Sequence, residues 1–381
     1  MLSDQDILEI RSHFPILRDK TYFYSCSQGA LSDAVESGMA RYMESWRTSS
    51  NPWEEWVGAY QDLRREFARF INAAPEEVAV VTSASAGINP IASALRFDRR
   101  NKVVMSEYEF PTMGHIWLAQ QARGAKVQFL DGVSNTVPAE CYAAAIDEQT
   151  AIVPLTQVSF LNGFRSDVAA ITEIAHSRGA LVFLDGFQDC GTRPIDVKAL
   201  DVDFFVTGTL KYLLGPAGLG FLYVRRDLIE SLNPTVTSWM AQRDVFAYNT
   251  KCLDPAPEAR RFESGSPSIP NIYMGRPALD LLSGIGMDKI AAHIGMLTRS
   301  FLEGVHELRI QSKTPAASVG PLAVVCAKDA AAMAAKLAAR GFVISTRRDG
   351  VRFSFHVYNT IEDVRAALRA LEENLDLMVR T

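Results

Sequence analysis

The chain has 381 residues, 48% of them apolar and 22% charged, with a net charge of −5; this is the make-up of a soluble globular protein with room for two domains. The charge gives no electrostatic reason to bind nucleic acid or an anionic membrane, and no apolar run approaches the roughly 20 residues of a membrane helix. Five cysteines (26, 141, 190, 252 and 326) form no Cys-x-x-Cys pair and the six histidines are dispersed, which argues against a metal site or disulfide framework and for a reducing cytoplasm.

The N-terminal "MLSDQDILEIRSHF" lacks the basic-then-apolar profile of a signal peptide. It reads as an amphipathic helix packed through Leu2, Ile7, Leu8 and Ile10. Between residues 78 and 224, β-rich runs alternate with helical stretches. "EVAVVTS" precedes "INPIASALR", and "NKVVMSE" precedes "TMGHIWLAQQAR"; "AKVQFLD", "AIVPLTQVS", "VAAITEIAHSRG", "ALVFLDG", "VDFFVTG" and "GLGFLYV" follow. Strands apolar on both faces and spaced by helices imply a mostly parallel sheet covered on both sides, an α/β fold. After Leu228 the texture becomes loop-rich. A helical segment from about Ile272 to Leu308 comes next, interrupted by Gly284 and Gly286. The tail reads as a strand, an alanine-rich helix, a hairpin in "FVISTRRDGVRFSFHVYN" and a last helix. The expected division is a large domain over 16–255 and a small α+β domain built from 1–15 and 256–381.

Three places carry chemistry. In "VTSASAGINPIA" a small-residue turn, Ser83 to Gly87, leaves a strand and opens a helix with Pro90 in its first turn; exposed amides there would cradle a phosphate or merely cap the helix. In "ALVFLDGFQD" Asp185 ends a buried strand, where open α/β sheets place their ligands, and Gln188 follows on the same turn. In "GTLKYLLGP" Lys211 lies between two buried strands. Such a lysine either snorkels to solvent or is held inside, where desolvation lowers its pKa and makes it a nucleophile. A phosphate anchor, a carboxylate for a pyridine nitrogen and a Schiff-base lysine are together what pyridoxal phosphate requires.

With these motifs in order, the chain resembles the class V aminotransferase family of fold-type I pyridoxal-phosphate enzymes, from "YFYSCSQGALS" to "VRFSFHVYNT". The resemblance implies pyridoxal 5'-phosphate as cofactor and Lys211 as its Schiff-base lysine and proton carrier. It gives Asp185 to the ring nitrogen, Gln188 to the ring oxygen, Phe110 to stacking on the ring, and Ala84 and Ser85 to the phosphate. "RFESGSP" matches a segment that reaches the neighbouring subunit's site, so Gly265 and Ser266 imply a homodimer with shared sites. Arg352 matches the arginine that binds a substrate α-carboxylate, and Cys26, Ser27 and Gln28 match a stretch beside the substrate.

The expected substrate is an amino acid. The favoured reaction is a lyase cleaving a bond at the β-carbon, of C–S type; an aminotransferase is the alternative and an epimerase ranks third. Persulfide-forming desulfurase chemistry is not expected, because "GFVISTRRDGVRF" holds no cysteine. Arg347 and Arg348 read as a solvated turn or as a reader of a second acidic group. Phe160 stands where relatives place an asparagine, with Asn162 displaced. A nicotinamide oxidoreductase lacks its Gly-x-Gly-x-x-Gly turn, and a non-catalytic dimer would not need Lys211 and Asp185.

Overall fold

The computed structural model describes residues 2–317 and 319–381. Seven strands form the central sheet in the order Val78–Val81, Gly220–Val224, Phe204–Gly208, Leu181–Asp185, Thr150–Thr156, Lys102–Ser106 and Lys126–Leu130. Gly220–Val224 runs antiparallel to both its neighbours; the other pairings are parallel. The mostly parallel α/β sheet expected from the apolar runs is therefore present. Its central strands are buried along their whole length. Lys126–Leu130 is the exception: it is an edge strand with Lys126, Gln128 and Phe129 at the surface.

Each face of the sheet carries helices. Ile88 and Ile91 of Ala84–Ala94, with Met113, Ile116 and Trp117 of Pro111–Ala119, close an apolar cluster on one face. Ile171 and Ala175 of Val168–Ser177, with Leu63 and Phe67 of Trp53–Phe70, belong to the cluster on the other. The helix Ala84–Ala94 starts earlier than its sequence suggests. Ser83 is its N-cap, accepting from the Ala86 amide at 3.1 Å, so Pro90 lies inside the helix rather than in its first turn. Gly87 is not a turn residue either: a Cβ there would meet Val206 Cγ2 at 3.0 Å, so this glycine lets the helix lie close on the sheet.

A second, antiparallel sheet holds Ser345–Arg347, Gly350–Ser354 and Leu322–Cys326. Thr21–Tyr22 pairs with Phe342–Val343 in a separate two-stranded ladder, and the Ser354 amide donates to the Phe23 carbonyl at 3.1 Å, tying the early chain to the second sheet. The N-terminal helix Asp4–Ser12 buries Ile7 and Ile10, while Leu8 stays 63% exposed and takes no part in the packing expected of it. Arg11 anchors this helix to the C-terminal region through the Tyr358 carbonyl at 2.6 Å and Asp363 at 3.0 Å. The long helical segment is two helices, Ile269–Ile285 and Met287–Glu307, parted at Gly286, whose φ of +95° suits glycine; Gly284, also expected to interrupt the segment, instead lies within the first helix. The first of them packs along Asp33–Thr48 and Trp53–Phe70. One apolar cluster runs from Phe14 through the central sheet to Met378. None of the described helices is long and apolar enough to cross a membrane.

Candidate active site

The connection from Gly208 to Gly220 is folded onto itself. Thr209 donates to the Pro216 carbonyl at 2.6 Å and accepts the Gly215 amide on its backbone at 2.8 Å, and Leu214 takes φ +58° to close the turn. The result holds Lys211 inside, at 9% exposure. Its amine does not snorkel. It lies 4.3 Å from the centre of the Phe187 ring and 5.5 Å from that of Phe110.

These groups share a small cavity lined by Phe110, Thr156, Val158, Phe160, Asp185, Phe187, Gln188 and Lys211. Burial is the largest influence on Lys211 and pulls its pKa down to about 8; Asp185 opposes the shift, whereas Arg352 and Arg347 reinforce it. Burial likewise pushes Asp185 up, countered by the Phe187 amide at 2.9 Å and by the charge of Lys211. Gln188 donates to the Cys26 carbonyl at 3.1 Å, while its side-chain oxygen is buried without a partner.

Arg352 is fully buried, and its acceptors are all neutral: Ser345 Oγ at 2.9 Å, the Phe160 carbonyl at 2.7 Å and Ser27 Oγ at 2.7 Å. A guanidinium held by dipoles beside a cavity is a natural carboxylate receptor.

The class-V aminotransferase family model matches residues 30–367. The chain belongs to the class V aminotransferase family. Members are pyridoxal-phosphate enzymes, and this chain is accordingly an enzyme dependent on pyridoxal 5'-phosphate. An uncharacterized aminotransferase of Bacillus subtilis, YcbU, is 33% identical over 363 residues, covering 94% of this chain and 96% of that protein. A probable cysteine desulfurase of Methanothermobacter thermautotrophicus is 27% identical, covering 96% and 97%. Among solved structures, the apo cysteine desulfurase of Thermococcus onnurineus superposes with a TM-score of 0.89 at 22% identity, over 99% of both chains, a likeness of fold. These relatives give no support to excluding desulfurase chemistry, and they back the aminotransferase alternative better than the favoured C–S lyase.

The residues fit the family's cofactor. A planar ring has two aromatic walls, Phe110 and Phe187. The Gln188 side-chain nitrogen gives one hydrogen to the Cys26 carbonyl and keeps the other for an acceptor on the ring, and Asp185 with Lys211 supplies the charged ends. Ala84 and Ser85 occupy the first turn of their helix, outside the cavity lining; Ser85 Oγ approaches Thr112 Oγ1 at 3.5 Å, two residues from Phe110. Gly265 and Ser266 are exposed and line a separate cleft with Val80, Thr82 and Gly218, so one chain does not bring them to Lys211. Cys26 is buried behind the site, its amide donating to Ser354 Oγ at 3.0 Å; Ser27 touches Arg352; Gln28 is exposed.

Asn162 is committed elsewhere. It donates to the Asn135 carbonyl at 2.7 Å and accepts the Phe164 amide at 3.0 Å, so it caps its own turn. The sequence reading passed over Phe187. Its ring occupies the space above Gly208, where a Cβ would come within 2.6 Å of it. The available signal was its place between Asp185 and Gln188 on one turn. Glu109 was also passed over: it is buried, accepts from Ser106 at 2.9 Å, and burial pushes it up to about 8. Among the described residues, no group of three or more His, Cys, Asp or Glu could hold a metal ion.

Proposed function

We propose that this protein is an aminotransferase acting on an amino acid. One observation carries the reading: apart from Asp185, Lys211 is the sole acid–base group lining the cavity among the described residues. Transamination asks for one group to take a proton from the substrate Cα and return it to the cofactor; elimination at the β-carbon gains from a second acid at the leaving group. When bound, pyridoxal phosphate supplies an electron sink for the bond broken at Cα.

The chain's own residues do the rest. Arg352 binds the α-carboxylate with its two terminal nitrogens, displacing or sharing the Ser27 and Phe160 contacts. Lys211, whose pKa of about 8 leaves a useful fraction of free amine near neutrality, carries the proton. Asp185 would stay charged opposite a protonated ring nitrogen, Gln188 would donate its second side-chain N–H to the ring oxygen, and Phe110 and Phe187 would flank the ring and exclude water. Ala84 and Ser85 present the helix N-terminus to the phosphate. The exposure of Gly265 and Ser266 supports a homodimer in which they complete the partner's phosphate site. Five free cysteines suit a cytoplasmic setting.

Mixing the holoenzyme with single amino acids, without an oxo-acid acceptor, tests this. The expected result is one equivalent of oxo acid per site, with the cofactor left as its amine. Continuous release of ammonia or sulfide would make the protein a lyase and overturn the proposal.

A further inference from the structure

The strand Ser345–Arg347 pairs with Gly350–Ser354 so that Ser345 faces Arg352. Cross-strand partners share a face of a sheet, and so do residues two apart on one strand. Ser345, Arg347 and Arg352 therefore present themselves to the same side, on which Arg352 reaches the carbonyl of Phe160, a residue of the cavity wall. Arg348, adjacent in sequence, goes the other way: it sits on the turn at φ +53°, exposed.

Arg347 is half-buried and donates to the neighbouring Thr346 carbonyl at 2.7 Å. The hairpin's acid, Asp349, is taken by Lys313. No ion pair to Arg347 exists among the described residues. Its charge is instead felt by Arg352 and Lys211, and its own pKa is lowered by burial first and by Arg352 second. Two guanidinium groups thus act on Lys211, and Asp185 is the carboxylate that opposes them. A substrate α-carboxylate would offset one of the two arginines and leave the other uncompensated.

We propose that Arg347 is a specificity residue that binds a second anionic group, so that the site takes dicarboxylic amino acids and their oxo acids. The inference rests on the aminotransferase reading, in which one dicarboxylate partner regenerates the cofactor form, and it makes that reading more specific. Arg352 takes the α-carboxylate and Arg347 the distal one.

Calorimetric titration of the holoenzyme with glutarate and with butyrate tests it without turnover. Wild-type protein should bind glutarate at least about tenfold tighter than butyrate, the scale of a charge-assisted hydrogen bond. Arg347→Gln should abolish that ratio while leaving butyrate affinity and the melting temperature unchanged, Arg347→Lys should restore part of it, and Arg348→Gln should keep it. Equal binding of the two acids, no binding of either, or a ratio that survives Arg347→Gln overturns the proposal. An equal loss of both ligands in Arg347→Gln also overturns it, because both arginines would then hold one carboxylate. Formation of oxo acid is scored separately, so failure of the aminotransferase reading is told apart from failure of this one.

Discussion

Arg64 and Arg352 are both buried, and they are satisfied in opposite ways. Arg64 meets the Glu263 carboxylate at 2.7 Å, the Gln61 side chain at 2.7 Å and the Tyr60 hydroxyl, and Glu263 in turn accepts the Val80 amide at 2.8 Å. Its charge is cancelled on the spot, and the pair joins Trp53–Phe70 to the segment that leads into Gly265 and Ser266. Arg352 has dipoles only. Dipoles can suffice for a purely structural arginine, as Arg261 shows with the carbonyls of Ala256, Ile229 and Leu232. What sets Arg352 apart is its place beside a cavity with a second cation. A buried arginine is read as structural or receptive only once both its partners and the space in front of it are known.

That contrast can be broken most sharply at the buried lysine. Lys211→Ala should lower turnover by at least about 10⁴-fold, the upper range of acid–base catalysis, with thermal melting of the fold retained; multiple-turnover activity in that variant would show that the buried amine is not catalytic. Arg352→Gln should lower kcat/KM for the best substrate by about 10²–10³, mostly through KM, since two charge-assisted hydrogen bonds are lost. An unchanged KM would return Arg352 to the structural class. Arg64→Met should do the reverse: it should destabilise the fold by about 3–5 kcal/mol by leaving Glu263 buried and unpaired, with KM little changed in the folded fraction. Urea unfolding measures the first and steady-state kinetics the second.

Two pH effects are smaller. Reconstitution of the apoprotein with pyridoxal phosphate should accelerate with pH about a midpoint near 8, because burial favours the neutral amine of Lys211. A midpoint near the usual 10.5 would mean that the amine reaches water. Glu109 is raised from 4.5 to about 8, chiefly by burial. Its folded value lies above the unfolded one, so its contribution to stability is complete below about 4.5 and is lost as pH rises through 8. Glu109→Gln should flatten the melting temperature across that window; an unaltered slope would show that the carboxyl is ionised in the fold.

Much of this architecture was legible in the sequence. Buried strands announce themselves as apolar runs and helices by their spacing, whereas residue type marked Gly284 and Gly286 alike and only Gly286 breaks the helix. The strand end at Asp185 and the buried turn at Lys211 follow from the same local patterns, because a strand's end and its burial are encoded within a few residues. The start of Ala84–Ala94 was less legible, since Ser83 and Ser85 are both plausible caps and only close packing of Gly87 on Val206 decides between them.

The tertiary structure alone decided the rest. Arg347 and Arg348 are neighbours of the same type, and their sequence offers no reason to separate them. The pairing of Ser345 with Arg352 does so, by placing Arg347 on the face of the sheet that carries Arg352 and leaving Arg348 on the turn. Phe187 became a wall of the site because Gly208, on a different strand, leaves room for its ring. Local pattern fixes which residues are strand, helix or turn, because those choices rest on short-range sterics and periodicity. Which charges converge on Lys211 depends on strand register and on the contact of two sheets, and those are set by hydrogen bonds and packing between segments far apart in the chain.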